Sequence, residues 1–302
     1  MRIVFFGTPH FAAEVLDSLI ESGVEIAAIV SQPDRPKGRS LQISPTPVKE
    51  VAAKKAPFIP IFQPEKSSNP EFLEELKKLQ ADLYVVVAFG QILPQKLLDI
   101  PRLGCINVHA SLLPKYRGAA PIQRSLLQGD KETGIAIQKM VKELDAGDVL
   151  RVEKIPIPEE MTYGELEKAL CDLSKPLLLS LLQEGLPQGA PQNPLHVTYA
   201  PKVSPEEAEI KWEKDAISLH NQIRAFNPRP GAWCWVEWNG EKKRLKILRA
   251  KVHTADTRSN KDLIVDCGRG SLCLLEVQME GKPRMQAADW LRGAKIPPKF
   301  LN

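Results

Sequence analysis

The sequence predicts a two-domain α/β protein, in which a parallel sheet wound with helices is followed by a smaller β-barrel. The length of 302 residues suits about two domains at roughly 150 residues each. Residues 1–110 alternate apolar β-type runs with helical patterns, which is typical of such a sheet. Prolines then cluster ahead of short strand-like runs. We therefore predict a first domain at 1–186, a proline-rich linker at 187–203 and a second domain at 204–302.

The first predicted elements are a strand at 2–6 and the helix that follows it. The strand is the apolar run RIVFF. Thr8 is predicted to cap the helix, with Pro9 at its first position, where no hydrogen-bond donor is needed. Apolar residues recur at helical spacing on one face until Gly23, where we expect the helix to end.

Further strands and helices complete the predicted first domain. Apolar runs predict strands at 24–30, 58–62, 83–88 and 104–108, and amphipathic patterns predict helices at 47–55 and 70–80. We expect the third and fourth of these strands to be fully buried, as central parallel strands should be. Beyond them the pattern predicts strands at 134–140 and 148–157, a turn at 144–147 and a long helix at 163–185.

The second predicted domain is a small β-rich unit with excess positive charge. The pattern predicts one helix at 215–226 and strands at 232–238, 244–252, 262–266 and 271–277. Such short strands favour a small barrel, with the oligonucleotide-binding type as one candidate. Residues 204–302 hold 18 Lys and Arg against 13 Asp and Glu. The run KKRLKILRAK at 242–251 can contact phosphates or can form a solubilising exposed strand, and both interpretations stay open.

Composition excludes several classes of protein. The longest uncharged, apolar-leaning stretch, at 83–95, is 13 residues long, whereas a membrane-spanning helix needs about 20. The first residues lack the long apolar segment of a signal peptide. The five cysteines are odd in number and include no Cys-x-x-Cys pair. We therefore expect a cytoplasmic protein with reduced thiols, no membrane association and no metal.

The loop after the first strand argues against a nicotinamide or ATP enzyme. Gly7 stands where a dinucleotide fold would carry its glycine-rich loop, but it stands without the further glycines of Gly-x-Gly-x-x-Gly. A Walker-type phosphate loop is also missing from the sequence.

The pair Asn107 and His109 marks a candidate active site. The two residues lie two positions apart at the carboxyl end of a predicted buried strand, so their side chains share a face. Ligands of open α/β sheets bind outside such strand ends. An amide donor can stabilise an oxyanion and an imidazole can exchange protons, which suits acyl transfer. A hydrogen-bonded strand end without chemistry is the alternative.

A third candidate residue lies in the turn Glu-Leu-Asp-Ala-Gly-Asp. The carboxylate of Asp145 could pair with His109 and fix its tautomer. Asp148 is equally eligible from the residues alone, and an aspartate that only forms the turn is the commoner explanation.

Ordered blocks along the whole chain match one known family. They include FFGTPHFA (5–12), SQPDRPKGRS (31–40), VVVAFGQILP (85–94), LGCINVHASLLPKYRGAAPIQRSLLQGD (103–130), LDAGD (144–148), TYAPKVSPEEAEIKW (198–212) and IRAFNPRPGAW (223–233). The chain closely resembles the methionyl-tRNA formyltransferases. The resemblance implies a Rossmann-like formyltransferase domain with a smaller C-terminal OB-like β-barrel that helps to hold tRNA. It also implies transfer of a formyl group from 10-formyltetrahydrofolate to the amine of methionyl-initiator tRNA.

The resemblance also assigns the reacting and folate-binding residues. The family's catalytic residues fall on Asn107, His109 and Asp145, which favours Asp145 over Asp148. The stretch that lines the tetrahydrofolate site falls on Ser111, Leu112, Leu113 and Pro114. The loop expected to border the pterin is Phe89, Gly90, Gln91, Ile92 and Leu93.

The predicted tRNA contacts come from both domains. The loop 34–47 matches the family segment that approaches the acceptor stem, with Arg39 as the contact to a phosphate or base. Leu41-Gln42 stands where some relatives have a lysine pair, which leaves less positive charge in this loop. The predicted cations of the second domain are Lys242, Lys243, Arg244, Lys246 and Arg249.

The implied partners are initiator methionyl-tRNA and the folate, for a monomer without an obligate protein partner. A folate-dependent formyltransferase acting on a small amine, such as a nucleotide amino sugar or glycinamide ribonucleotide, would use the same Asn, His and Asp. A non-catalytic RNA-binding protein on a degenerate scaffold would be expected to lack one of the three, and all three are present.

Overall fold

The computed structural model describes residues 1–37, 42–254 and 262–301. In these ranges the α-helices are α1 (His10–Glu21), α2 (Pro47–Lys55), α3 (Pro70–Lys78), α4 (Gln95–Leu98), α5 (Pro121–Gln128), α6 (Tyr163–Glu184), α7 (Ala216–Phe226) and α8 (Ala287–Arg292). The strands are β1 (Ile3–Gly7), β2 (Ile26–Val30), β3 (Arg35–Lys37), β4 (Gln42–Ser44), β5 (Ile61–Phe62), β6 (Leu83–Val87), β7 (Cys105–His109), β8 (Arg117–Gly118), β9 (Glu132–Lys139), β10 (Val149–Pro156), β11 (Tyr199–Ala200), β12 (Trp233–Trp238), β13 (Glu241–Val252), β14 (Leu263–Asp266), β15 (Ser271–Met279), β16 (Met285–Gln286) and β17 (Lys299–Leu301).

These elements form two compact units, each assembled from separate stretches of chain. The first unit comprises Met1–Gly118, Thr133–Ile155 and Glu167–Tyr199. The second unit comprises Ala119–Glu132, Pro156–Leu166 and the chain from Ala200 onward. Two segments that lie well before the proline-rich linker therefore belong to the second unit. The boundaries at 186 and 204 stay a prediction.

The first unit is built on a sheet with the strand order β10-β9-β7-β6-β1-β2-β5 in the described part of the chain. The pairs from β7 through β6, β1 and β2 to β5 are parallel, and β9 runs antiparallel to β7. β1, β2 and β6 are buried along their whole length. Phe6 packs against the rings of Tyr84 and Phe89, each 5.4 Å away between centroids. The predicted Rossmann-like parallel sheet is thereby confirmed.

The turn from β1 into α1 differs from the prediction. α1 begins at His10, and no side chain caps it. The Thr8 hydroxyl donates to the Phe89 carbonyl at 2.9 Å and accepts from the Gln32 amide at 3.3 Å. The expected Thr8 cap is therefore wrong, because this hydroxyl joins the loops that follow three neighbouring strands.

Gly7 is required by close packing at the same turn. A Cβ at this position would lie 2.6 Å from the Ala12 Cβ and 2.8 Å from the Phe5 ring. Real Cβ atoms do not approach so closely. The single glycine thus lets α1 pack onto β1, which explains it without a bound phosphate.

Other boundaries shift by a few residues, and several short elements carried no usable pattern. The strand predicted at 58–62 shrinks to β5, because Pro60 cannot donate to a ladder and Phe58 is 97% exposed. The sequence missed α4, α5, α8, β16 and β17, which are each eight residues long or shorter.

The second unit contains a curled antiparallel half-barrel. Within the described ranges its strand order is β14-β15-β13-β12-β17, with β16 paired to β15. Val236, Leu245, Ile247 and Val277 are fully buried on its inner side. Asp215 caps the N-terminus of α7, since its carboxylate accepts from the Ser218 amide at 3.0 Å. The predicted β-domain after the linker is therefore confirmed.

The cysteines and the helices bear on the predictions of reduced thiols and of no membrane-spanning helix. All five cysteines lie in the described ranges as free thiols. Burial raises the pKa of the Cys171 and Cys234 thiols to about 12, so both stay protonated near neutral pH. Among the helices described, none is both long and apolar enough to cross a bilayer.

Candidate functional site

The strand pair β7 and β9 positions the first two candidate residues. In its antiparallel register with β9, Asn107 lies opposite Gln138, and His109 lies opposite Ala136. Asn107 and His109 are two positions apart on β7 and therefore share one face of the sheet. His109 is 5% exposed, whereas Asn107 is half-buried.

Asp145 lies in the turn between β9 and β10 and faces both of these side chains. Its Oδ1 accepts from Asn107 Nδ2 at 3.3 Å and from Gln138 Nε2 at 2.9 Å. Its Oδ2 accepts from the Gly118 amide at 2.8 Å and lies 3.7 Å from His109 Nδ1. The structure thus brings together the three residues predicted to be catalytic.

The second nitrogen of the His109 ring has a fixed partner. Nε2 lies 2.9 Å from the Tyr116 carbonyl oxygen. Because a carbonyl oxygen only accepts, this contact places a proton on Nε2. Nδ1 is therefore the ring nitrogen that faces the Asp145 carboxylate.

The backbone of the turn explains why Asp145 and not Asp148 meets the imidazole. Asp145 adopts a left-handed conformation with φ at 47°. A Cβ at Gly147 would lie 1.8 Å from the Lys139 carbonyl oxygen, so the turn closes tightly on β9. Asp148 instead lies beside Gly189. A Cβ added at Gly189 would lie 2.5 Å from the Cβ of Asp148.

Gln192 is a site residue that sequence reasoning missed. Its Nε2 donates to the main-chain oxygens of Asp145 and Gly147, at 2.8 Å each. Its Oε1 accepts from Arg117 Nε at 3.1 Å and Nη2 at 2.8 Å. Gln192 lies in the predicted linker, where no periodicity singles out one polar residue. Gln138 was also missed, although its place inside an apolar strand was a usable signal.

Two family models match this chain. The model described as formyl transferase matches residues 1–182. The model described as formyl transferase, C-terminal domain, matches residues 202–295. Together they cover Asn107, His109 and Asp145 as well as most of the β-rich second domain.

Three relatives with full-length similarity share one name. The methionyl-tRNA formyltransferase of Protochlamydia amoebophila is 49% identical over 313 residues, covering 100% of this chain and 98% of the relative. That of Moorella thermoacetica is 43% identical, covering 99% and 98%. That of Citrifermentans bemidjiense is 44% identical, covering 100% and 96%. The chain belongs to the methionyl-tRNA formyltransferase family.

Solved structures share the fold of this methionyl-tRNA formyltransferase family member at low identity. An N-formyltransferase from Helicobacter canadensis, in complex with folinic acid and dTDP-3-aminofucose, has a TM-score of 0.66 at 17% identity and covers 92% of this chain and 98% of its own. HypX from Aquifex aeolicus, in complex with tetrahydrofolic acid, has a TM-score of 0.64 at 15% identity and covers 96% of this chain and 47% of its own.

The first folate segment predicted for a methionyl-tRNA formyltransferase follows β7 directly. The Ser111 hydroxyl donates to the Lys115 carbonyl at 2.6 Å, and the Leu113–Pro114 peptide is cis. Leu112 packs against Gly134, where a Cβ would lie 2.6 Å from the leucine side chain. The contacts with Lys115 and Gly134 therefore hold Ser111 and Leu112 in place.

The second predicted folate segment, 89–93, divides into buried and exposed residues. Phe89 and Leu93 are buried in the core of the first unit. Gln91 is held by hydrogen bonds, one of them from the Ser67 amide to its Oε1 at 2.7 Å. Ile92 is 85% exposed. Gly90 has φ at 89°, a conformation that glycine adopts easily, and it makes the turn between Phe89 and Gln91 possible.

The predicted tRNA cations of the second unit separate into two groups. Lys242, Arg244 and Lys246 occupy alternate positions of β13 opposite β12. Lys243 forms an ion pair with Glu241, and Arg249 forms one with Glu165. The remaining predicted contact, Arg39, lies outside the described residues. In the described ranges no cluster of three or more His, Cys, Asp or Glu could hold a metal ion.

Proposed function

We propose that the chain transfers a formyl group from 10-formyltetrahydrofolate to the free amino group of methionyl-initiator tRNA, giving N-formylmethionyl-tRNA for translation initiation. The observation that carries the proposal is the contact of Asn107 and His109 with Asp145 in a chain 49% identical to a methionyl-tRNA formyltransferase over its whole length. The presence of both formyl transferase domains supports it further.

The proposed reaction begins when the neutral methionyl amine attacks the formyl carbon. A carbon–nitrogen bond forms, and the formyl oxygen takes the displaced electron pair as an oxyanion. Asn107 donates a hydrogen bond to this oxygen, and His109 donates a second from a protonated Nδ1, because its Nε2–H is held by the Tyr116 carbonyl. One N–H of the Asn107 amide is occupied by Asp145, which leaves the other for the substrate.

Proton transfer completes the proposed reaction. Asp145 accepts the proton that the amine loses, either directly or through His109 or water. The oxyanion then re-forms the carbonyl, the bond between the formyl carbon and N10 breaks, and N10 takes up a proton as tetrahydrofolate leaves. One proton leaves the amine and one reaches N10, so the reaction needs no external acid.

The donor is proposed to bind at Ser111–Pro114 and 89–93, next to the trio. The exposed aliphatic side chain of Ile92 supports this, since an apolar group at the surface suits the face of a pterin. The structural neighbours solved with tetrahydrofolic acid and folinic acid support a folate as the donor class.

The tRNA is proposed to contact Arg39 in the loop of the first unit and cations of the second unit. The excess of positive charge after residue 204 supports this role, because phosphate contacts bind RNA in a salt-dependent way. We further propose that the enzyme works in the cytoplasm as a monomer. Its free thiols agree with a reducing compartment.

The test of the proposed function compares three acceptors. Formyl transfer from 10-formyltetrahydrofolate is measured to charged initiator methionyl-tRNA, to charged elongator methionyl-tRNA and to a nucleotide amino sugar. We expect fast transfer that is selective for the initiator tRNA. Transfer to the amino sugar alone would keep the trio's chemistry but overturn the proposed acceptor.

A further inference from the structure

An outer hairpin face in the second unit combines indoles with cations. β12 and β13 pair antiparallel, so residues directly opposite one another share a face. Cys234, Val236 and Leu245 are buried on the inner face. The alternate positions form the outer face: Trp233, Trp235, Glu237, Lys242, Arg244 and Lys246. We call these six residues the indole–cation face.

Two cations of this face lie over indole rings. The Arg244 guanidinium carbon is 3.9 Å from the centroid of the Trp233 ring, and Lys242 Nζ is 4.7 Å from that of Trp235. The indoles meet edge to face, with centroids 5.6 Å apart. Glu237 is the residue opposite Lys242 in the strand register, yet the Lys242 ammonium lies over the Trp235 ring. Attraction to a ring holds a cation in place without cancelling its charge.

Two predicted cations of this strand, Lys243 and Arg249, lie outside the indole–cation face and are arranged differently. Lys243 pairs with Glu241, and Arg249 pairs with Glu165. A carboxylate partner cancels the charge of each and competes with any phosphate. Within one strand, the two cations that lie over indoles therefore differ from the two that are paired with carboxylates.

We propose that the indole–cation face binds the phosphate backbone of RNA, with Trp233 and Trp235 acting as positioning residues for the cations. Residues two apart on a strand are about 6.7 Å apart, a spacing that lets successive side chains reach successive phosphates. Aromatic rings interleaved with cations are a recurring feature of nucleic-acid surfaces. The inference rests on the proposed function, since tRNA is the RNA that this chain would bind.

Two double variants with the same change in net charge test the cations. Uncharged initiator tRNA is bound to the full chain over a salt series. K242Q/R244Q is expected to weaken binding at least about tenfold near 0.15 M salt and to lower the salt slope by about 2. K211Q/R292Q removes the same charge from a lysine and an arginine that pair with Glu209 and Asp289, and its affinity should stay within about threefold of the wild type. Equal losses in the two double variants would overturn the inference.

Ring replacements test the positioning role of the indoles. W233L and W235L remove the ring, whereas W233F and W235F keep one. We expect each leucine variant to weaken tRNA binding about threefold to tenfold with a lower salt slope, and each phenylalanine variant to restore most of the affinity. Circular dichroism and the unfolding midpoint monitor folding. If the leucine variants do not fold, the phenylalanine and K242Q/R244Q variants still decide the matter. Leucine variants that fold and bind tRNA with wild-type affinity and slope would overturn the positioning role.

Formyl transfer in the same preparations separates the two proposals. K242Q/R244Q should raise KM for methionyl-tRNA and leave kcat at saturating tRNA unchanged. Failure of the wild type to formylate methionyl-tRNA would refute the proposed function. Wild-type transfer combined with indifference to K242Q/R244Q would refute only the indole–cation face.

Discussion

Asp145 is the residue on which the hydrogen bonds of the site converge. Its carboxylate accepts from two side chains of the neighbouring strands and from the Gly118 amide, and it faces His109 at 3.7 Å. Its main-chain oxygen accepts from Gln192. A carboxylate with this many donors is held in one orientation. This is what a group that orients an imidazole and receives a proton requires.

We expect substitution of any member of the trio to reduce turnover without loss of the fold. Asn107→Ala, His109→Ala and Asp145→Ala should each lower kcat by about two to four orders of magnitude, because an oxyanion donor or a proton-transfer group is lost. Steady-state formyl transfer measures kcat, and equilibrium binding of tetrahydrofolate serves as the control. A variant with near-wild-type turnover would remove that residue from the mechanism.

We expect Gln192 to act on turnover through the position of Asp145. Gln192→Glu can still accept from Arg117, but it cannot donate to the two main-chain oxygens of the turn. We expect kcat to fall about tenfold, since a small misplacement of a catalytic group is costly, with KM for folate unchanged.

Gln188 provides the matched control for this variant. It is an exposed glutamine of the same linker, and Gln188→Glu introduces the same charge. Its kcat should equal that of the wild type. Equal losses in both variants would mean that charge in the linker, and not the contact with the turn, causes the effect.

At the scale of elements, α5 is tied to the chain before α7 by a bidentate ion pair. Arg124 Nη1 and Nη2 lie 2.5 and 2.9 Å from the two carboxylate oxygens of Glu207. The Arg124 hydrogen bonds hold the pKa of Glu207 below its usual 4.5. A carboxyl whose pKa is lowered by folding stabilises the fold above its unfolded pKa and loses this contribution as the pH falls through its folded pKa.

The free energy of unfolding should therefore depend on pH through this pair. Glu207 has a 36% exposed side chain, so screening by solvent limits the interaction to at most about 1 kcal/mol. We expect a double-mutant cycle of Arg124→Gln and Glu207→Gln to give this coupling at pH 7 and almost none at pH 3. Urea unfolding at both pH values measures it. A coupling that does not change with pH would contradict the assignment.

At the scale of the whole molecule, the two units do not follow the order of the chain. Residues 119–132 and 156–166 belong to the second unit, although the sequence places them well before the linker. α5 lies in the first of these segments and buries Ile122 and Leu126. A chain ended near residue 201 would keep α5 but lose the elements of its own unit.

We expect a fragment of residues 1–201 to be less stable than the full chain. Exposing the side chains of Ile122 and Leu126 lowers the free energy of unfolding by about 1.5 to 3 kcal/mol for each of them. The fragment should unfold at a lower temperature than the full chain and should bind a hydrophobic dye in its folded state. Calorimetry and dye fluorescence measure these properties. A fragment that unfolds at the temperature of the full chain would show that α5 does not depend on the rest of the second unit.

Much of the fold was predictable because it depends on local pattern. The mostly apolar runs at 83–88 and 104–108 indicated buried parallel strands, and the helix predicted at 47–55 matched α2 residue for residue. The site was only partly predictable. Asn107 and His109 stood out through their spacing, whereas the choice of Asp145 over Asp148 came from family resemblance and was left open by the residues.

The sequence by itself determined the two-domain α/β class, the identity of the central strands and the strand end that carries Asn107 and His109. Periodicity and composition act within a few residues, so these features were visible without a structure. Only the tertiary structure decided which side chains meet. The contact from Gln192 to Asp145 spans 47 residues, and that from Thr8 to Phe89 spans 81. Contacts over such separations depend on strand order and turn geometry, which no local pattern records.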